Sequence, residues 1–310
     1  GEDSYDGNWT KEDVKVTLSG TAPSGVQKYQ YSTNGGDSWL DLIENTLTIS
    51  QTTDQAFIFR AVSNGNIASN PSPSVGIKID QTKPVIRNIT GNPTAFKNTE
   101  QVITFEASDE NSGVDRQSVT VTKDQVDIQV TENEGAYSFT TTGNGQYQIN
   151  VSDSIGNAAD AVFVDVTMLD FEKPLISALS PANHQRDVDV ETITVTFNEV
   201  IQRSGQSGDI IVYRENGTVF ERVDIQNNRV KISGEQMKIY FTKPLEIGRS
   251  YYVMMGKDIL ADLAGNTFDG IADKTTWEFK TKSVKTVNGL TGIQLTVLEE
   301  QYPAVVDGAD

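Results

Sequence analysis

The sequence predicts an all-β chain of consecutive β-sandwiches, on three observations. Apolar residues recur with period two, Asn-Gly turn signals separate the recurrences, and short motifs return at domain-sized intervals. Each alternating run reads as a half-buried strand. Val14, Val16 and Leu18 share one face of DVKVTLSG, with Lys15 and Thr17 on the other. The shared faces hold Phe57, Phe59 and Ala61 in AFIFRAVS, Tyr147, Ile149 and Val151 in QYQINVSD, and Ile193, Val195 and Phe197 in TITVTFNE. Successive strand side chains point to opposite faces, so these runs suit antiparallel sheets packed on one side only. Asn34-Gly35-Gly36, Asn144-Gly145 and Asn216-Gly217 lie between such runs. Asn and Gly tolerate the positive φ of tight hairpins, so all three are expected to be hairpin turns.

Two further landmarks repeat. KIDQTKP and MLDFEKP share Asp-x-x-Lys-Pro, at Asp80 and Asp170, each between strand-like runs. Proline removes a backbone donor and stops sheet continuation, so these sequences suit short, stiff domain junctions. Cutting there gives modules at residues 1–80, 81–170 and 171–282, each about the size of an immunoglobulin-like sandwich. Residues 283–310 remain as a C-terminal strand or the start of a further domain, with Ile293, Leu295 and Val297 on one face.

A second repeat is DSIGN at 153–157 and DLAGN at 262–266, each between a strand with an inward aromatic and the last strand of its module. Asp can accept from backbone amides two residues on, and Gly and Asn tolerate the left-handed conformation. Recurrence at one topological point argues for turn chemistry over a catalytic carboxylate. The first module carries what reads as a shortened form, SNGN.

Composition removes several function classes. A formal charge of -18 opposes binding to nucleic acid or anionic lipid. There is no cysteine, hence no disulfide, thiolate nucleophile or cysteine metal site, and His184 is the only histidine, in the loop-like SPANHQRD. No apolar run is long enough for a membrane helix. The chain begins at Gly1 and is expected to be a fragment of a longer polypeptide.

WTKEDVKVTLSG, VQKYQYSTNGGDSW and IDQTKP resemble Ig-like repeats of exported proteins from Gram-positive bacteria. Residues 81–170, with ASDENSGV and GQYQINVSDSIGN, resemble the next module of that kind. SPANHQRDVDVETITVTFNEVI, KPLEIGRSYYVMMGKDILADLAGN and WEFKT are similar to the Ig-like domain type named for S-layer proteins. The resemblance implies three tandem immunoglobulin-like β-sandwiches in an elongated array, and carries no family-wide catalytic residue.

Asp109, Asn111, Gly113 and Asp115 alternate in SDENSGVD and offer hard oxygen donors of the kind calcium prefers. The loop is not an EF-hand, because Thr120 stands where the bidentate Glu would be. A polar inter-strand turn explains the same residues. Asp80 and Asp170, with Asp153 or Asp262 from the neighbouring turns, form a second calcium candidate at the junctions. No other cofactor is expected. Trp39 and Trp277 sit at strand positions that suit core packing, whereas Trp9 and Tyr5 suit either a cap on the sandwich or a solvent-facing edge.

The expected function is a non-catalytic extracellular spacer in a larger bacterial surface, S-layer or secreted protein, in contact with neighbouring domains of its own polypeptide. The alternative is an adhesin or carbohydrate-binding module that recognises a polysaccharide or surface protein through loops at one end of a sandwich. Neither nucleic acid nor membrane insertion is expected.

Overall fold

The computed structural model describes residues 4–283, and beyond them the paired backbone of Lys285–Thr286 and Thr296–Val297. Ile293 and Leu295 lie outside the described residues. There is no α-helix among the described residues; Arg116–Ser118 forms a turn of 3-10 helix. Among the described residues no helix is long and apolar enough to cross a membrane. The chain divides into two compact units, residues 1–93 with 100–167, and residues 94–99 with 168–310.

The first unit contains two groups of sheets. In one, Leu40–Asp41, Val26–Ser32, Thr53–Ser63 and Val75–Ile79 form a four-stranded sheet in that order, and Val14–Thr17 pairs with Thr46–Ile49. Val14, Phe57, Phe59, Ile77 and Ile79 are buried between them, with Leu47 and Ile49 packed alongside. The expected face of AFIFRAVS holds for Phe57 and Phe59 but not beyond. Val62 is buried in place of Ala61, where the partner strand shifts register between Val26 and Lys28.

The other group is a pair of four-stranded sheets. Val130–Asn133, Ala136–Thr140, Val102–Ser108 and Val85–Thr90 make one. Val126–Ile128, Thr120–Lys123, Gly145–Asn150 and Val162–Val166 make the other. The Phe139 and Tyr147 rings, one from each sheet, meet at 5.3 Å in the core. Consecutive strands Ala136–Thr140 and Gly145–Asn150 therefore belong to different sheets, and Asn144-Gly145 is not a hairpin turn. It is a corner, held by Tyr147, whose hydroxyl accepts from the Thr142 amide at 2.8 Å and donates to the Gly143 carbonyl at 2.9 Å. Gly145 has φ 143°, and a Cβ there would come within 2.6 Å of Lys123 Cε. Asn216-Gly217 does close a hairpin, between Asp209–Arg214 and Val219–Asp224.

The second unit is one sandwich. Ile176–Ser180, Thr192–Phe197, Gln236–Tyr240 and Val230–Ser233 form a four-stranded sheet. Gln185–Val188, Glu278–Thr281, Ser250–Met255, Asp209–Arg214 and Val219–Asp224 form a five-stranded one. Ile193, Val195 and Phe197 are buried as their alternation predicts, together with Val212, Tyr251, Val253 and Trp277. Trp277 is fully buried, and its indole donates to the Pro181 carbonyl at 2.8 Å. Tyr251 makes a second corner, its hydroxyl accepting from the Glu246 amide at 2.9 Å. Trp39 departs from the core role expected of it: it is half-exposed, with the Arg60 guanidinium 4.1 Å above its ring. Trp9 is half-exposed beneath Lys78, while the Tyr5 hydroxyl accepts from the Lys78 amide at 2.8 Å.

Candidate functional site

The two Asp-x-x-Gly-Asn turns have one geometry. The Asp153 amide donates to the Asn157 carbonyl at 3.0 Å, and Asp262 does the same to Asn266 at 3.0 Å. In return, Asp153 Oδ1 accepts from the Asn157 amide at 2.7 Å, and Asp262 Oδ1 from the Asn266 amide at 2.8 Å. Gly156 and Gly265 take positive φ, 88° and 97°. Each turn is thus closed by its own carboxylate.

The Asn side chain of each turn reaches further. Asn157 Nδ2 donates to its own turn's Asp153 at 2.6 Å and to the carbonyl of Asp80 at 3.0 Å. Asn266 Nδ2 donates to Asp262 at 2.7 Å and to the carbonyl of Asp170 at 2.9 Å. The two sequence repeats are therefore two halves of one clasp: the turn grips the Asp-x-x-Lys-Pro segment. Exposed ion pairs repeat the pattern, Lys83 with Asp160 and Lys173 with Asp269.

The first module keeps the turn and changes its chemistry. Val62 bridges Ala68 as Ser152 bridges Ala158 and Ala261 bridges Thr267, so all three turns have the same length. SNGN is a misframed fragment of Ser63-Asn64-Gly65-Asn66-Ile67, and the turn is not shortened. Ser63 replaces the Asp and accepts the Ile67 amide at 3.2 Å; Asn66, φ 59°, replaces the glycine. Ile67, 73% exposed, stands where the clasping Asn would be.

Each clasp gathers carboxylates. Asp80, Asp109 and Asp153 place one oxygen each within 4.8 Å of one another, as do Asp170, Glu199 and Asp262. Oxygens on opposite sides of a calcium ion, bound at about 2.3–2.6 Å each, would be roughly 5 Å apart, so either cluster has the dimensions of a shared cation site. Asp115 lies outside both clusters. The Asn111 amide reaches Thr82 Oγ1 at 3.2 Å, and Asp115 caps the 3-10 turn by accepting from the Gln117 amide at 2.9 Å.

The clusters differ electrostatically. Asp80 is buried, which alone would raise its pKa, yet hydrogen bonds from Thr82 and Ser112 outweigh burial and hold it below the usual value. Those donors are Thr82 Oγ1 at 2.5 Å and Ser112 Oγ at 2.7 Å. Glu199 has no such donor among the described residues. Burial, and then the charges of Asp262, Asp170 and Glu172, push its pKa up. A cation would relieve that repulsion. Glu199 was not singled out by sequence reasoning; its only signal is an acid two residues past the end of the strand Thr192–Phe197, near where Asp109 follows Val102–Ser108.

Residues 170–281 match the family model described as bacterial Ig-like domain. Over these residues the chain is similar to that family. The matched residues span the second unit's sandwich, with Asp170 of the clasp and Tyr251 of the corner among them. No curated protein matches the chain. Fibronectin(III)-like modules of Clostridium thermocellum CbhA are 19% identical, over 53% of this chain and 88% of theirs, with a TM-score of 0.26. The full ectodomain of mouse nectin-like molecule 4 is 10% identical, over 88% and 93%, with a TM-score of 0.33. Domains 4–9 of surface layer protein SbsC are 12% identical, over 88% and 42%, with a TM-score of 0.21. None of these similarities bears on activity.

Proposed function

We propose that the chain is a non-catalytic spacer from the extracellular part of a larger bacterial surface or secreted protein, built of three modules at 1–80, 81–170 and 171–282. The observation that carries this reading is the clasp. The same turn asparagine holds the backbone of the same junction motif at Asp80 and again at Asp170. Repeated, part-buried polar chemistry at the same junction motif supports a role for these segments in spacing modules. Calcium at the two carboxylate clusters would tie the junction acid to the turn acid and stiffen the same point, the second cluster more so because Glu199 is unrelieved there.

Single-molecule stretching tests the reading. Three discrete unfolding events are expected, each releasing on the order of 250–400 Å of chain, as folded stretches of these lengths would when extended. Asn157→Ala and Asn266→Ala should lower the unfolding force of the module bearing the change, and calcium should raise it. A featureless low-force extension would overturn the spacer reading. Unfolding forces indifferent to calcium would leave the spacer and remove the cation.

A further inference from the structure

The outer face of the five-stranded sheet carries a depression of roughly 440 Å³, within the range of about 300–1,000 Å³ that small ligands occupy. The strand register arranges its lining in two rows. Tyr213 pairs with Tyr252, and Tyr252 with Glu278, whose carboxylate holds His184 Nδ1 at 2.8 Å. Two residues along, Ser250 pairs with Lys280, and Arg186 follows Gln185, the parallel partner of Phe279.

The first row presents an aromatic face. The Tyr213 and Tyr252 rings stack at 5.0 Å with planes 12° apart, so one face of Tyr252 is covered. Glu278 is its cross-strand neighbour on the other side, and Tyr252 but not Tyr213 lines the depression. The second row presents cations. Among the described residues, neither Arg186 nor Lys280 forms an ion pair, and Lys274 adds a third positive charge to the lining. Glu215 and Glu278 are the lining acids, and Glu278 is already engaged by His184. A chain of net charge -18 therefore has a hollow where three cations line up against two acids, beside the Tyr252 ring.

That pairing defines a ligand with an apolar ring face and a carboxylate. We propose that the depression binds a carboxylate-bearing glycan, one uronate ring stacking on Tyr252 and its carboxylate lying between Arg186 and Lys280. The C–H face of a pyranose packs on an aromatic ring, and a guanidinium gives the carboxylate paired, charge-assisted hydrogen bonds. Neighbouring positions two residues apart along a strand are about 7 Å apart, a separation that one sugar residue and its C5 carboxylate bridge. The site lies on a sheet face of the third module, away from the clasp residues, and is independent of the spacer reading.

The test is calorimetric titration of the whole chain with oligogalacturonate, oligomannuronate and a glucuronate-containing oligosaccharide, each beside its methyl ester, which keeps the rings and removes the charge. At least one acid form should bind saturably, with its ester about tenfold weaker or worse and with affinity falling as salt rises. Arg186→Ala and Lys280→Ala should each weaken binding about tenfold, a change that surface substitutions make without unfolding the domain. Tyr252→Ala should abolish it, with the melting curve confirming a folded chain. Silence from all three acids, equal binding of acid and ester, or an Arg186→Ala chain that binds as the parent does would each overturn the proposal. None of those outcomes would alter the unfolding events on which the spacer reading rests.

Discussion

Asn157 and Asn266 each close a turn with a backbone amide and hold a junction carbonyl with the side-chain amide. Ile67 shows by contrast what the same turn is without that second function. Beside Asn266, burial and three neighbouring carboxylates oppose the ionisation of Glu199. Glu199→Gln should therefore stabilise the second unit in chelator at neutral pH, by up to about 0.5 kcal/mol for so local a change. The same variant should lose most of any calcium-induced rise in melting temperature. Melting curves in chelator and in calcium read both effects; a destabilised variant in chelator would mean that Glu199 makes a favourable contact the clasp needs.

At the scale of elements, the two tyrosine corners explain how chain that reads locally as a hairpin changes sheets instead. Asn144-Gly145 carries the residues of a two-residue turn, but the Tyr147 hydroxyl binds Thr142 and Gly143, and the following strand pairs elsewhere. Hairpin and corner have the same local signal, because both need positive φ; which one forms is set by where the next strand finds its partners. The tryptophans divide on the same principle. Trp277 follows a turn and enters the closed core, whereas Trp39 lies beside an outward-facing arginine on a sheet surface. Trp277→Ala should cost about 3–5 kcal/mol and Trp39→Ala less than about 1 kcal/mol, measured by chemical denaturation of each unit's transition. Comparable costs would place Trp39 in a core.

For the molecule as a whole, the excess of carboxylates sets the response to pH and salt. Self-repulsion at net charge -18 should make stability rise with added salt and rise as pH falls from 8 toward the pI near 4.4. Glu199 acts in the same direction: its folded pKa is raised, so its contribution favours folding at low pH and is lost as pH rises through that value. Asp80 and Glu221 act oppositely. Burial of Glu221 is outweighed by hydrogen bonds from Thr242 and then Arg229, and both acids have lowered folded values. Their contributions are complete above the ordinary carboxylate range and lost as pH falls through the lower folded values. A stability maximum between about pH 4.5 and 6 is expected from pH-dependent denaturation, with loss below 3.8, the ordinary aspartate value. A monotonic fall from pH 8 downward would contradict this assignment.

Periodicity, turn chemistry and motif spacing determined the all-β class, the repeated turns and the position of the junction motifs, because each of these is written in residues a few positions apart. Local sequence also marked Asp109, Asn111 and Asp115 as one calcium candidate, and Asp80 and Asp170 with Asp153 or Asp262 as another. Only the tertiary structure decided which acids meet. It brought Glu199 to Asp170 and Asp262, sent Asp115 to a helix cap, and joined the two repeated motifs into one clasp. Residues 92 positions apart, Asp170 and Asp262, become neighbours through strand pairing, and pairing is fixed by which apolar faces can be buried together rather than by any local signal.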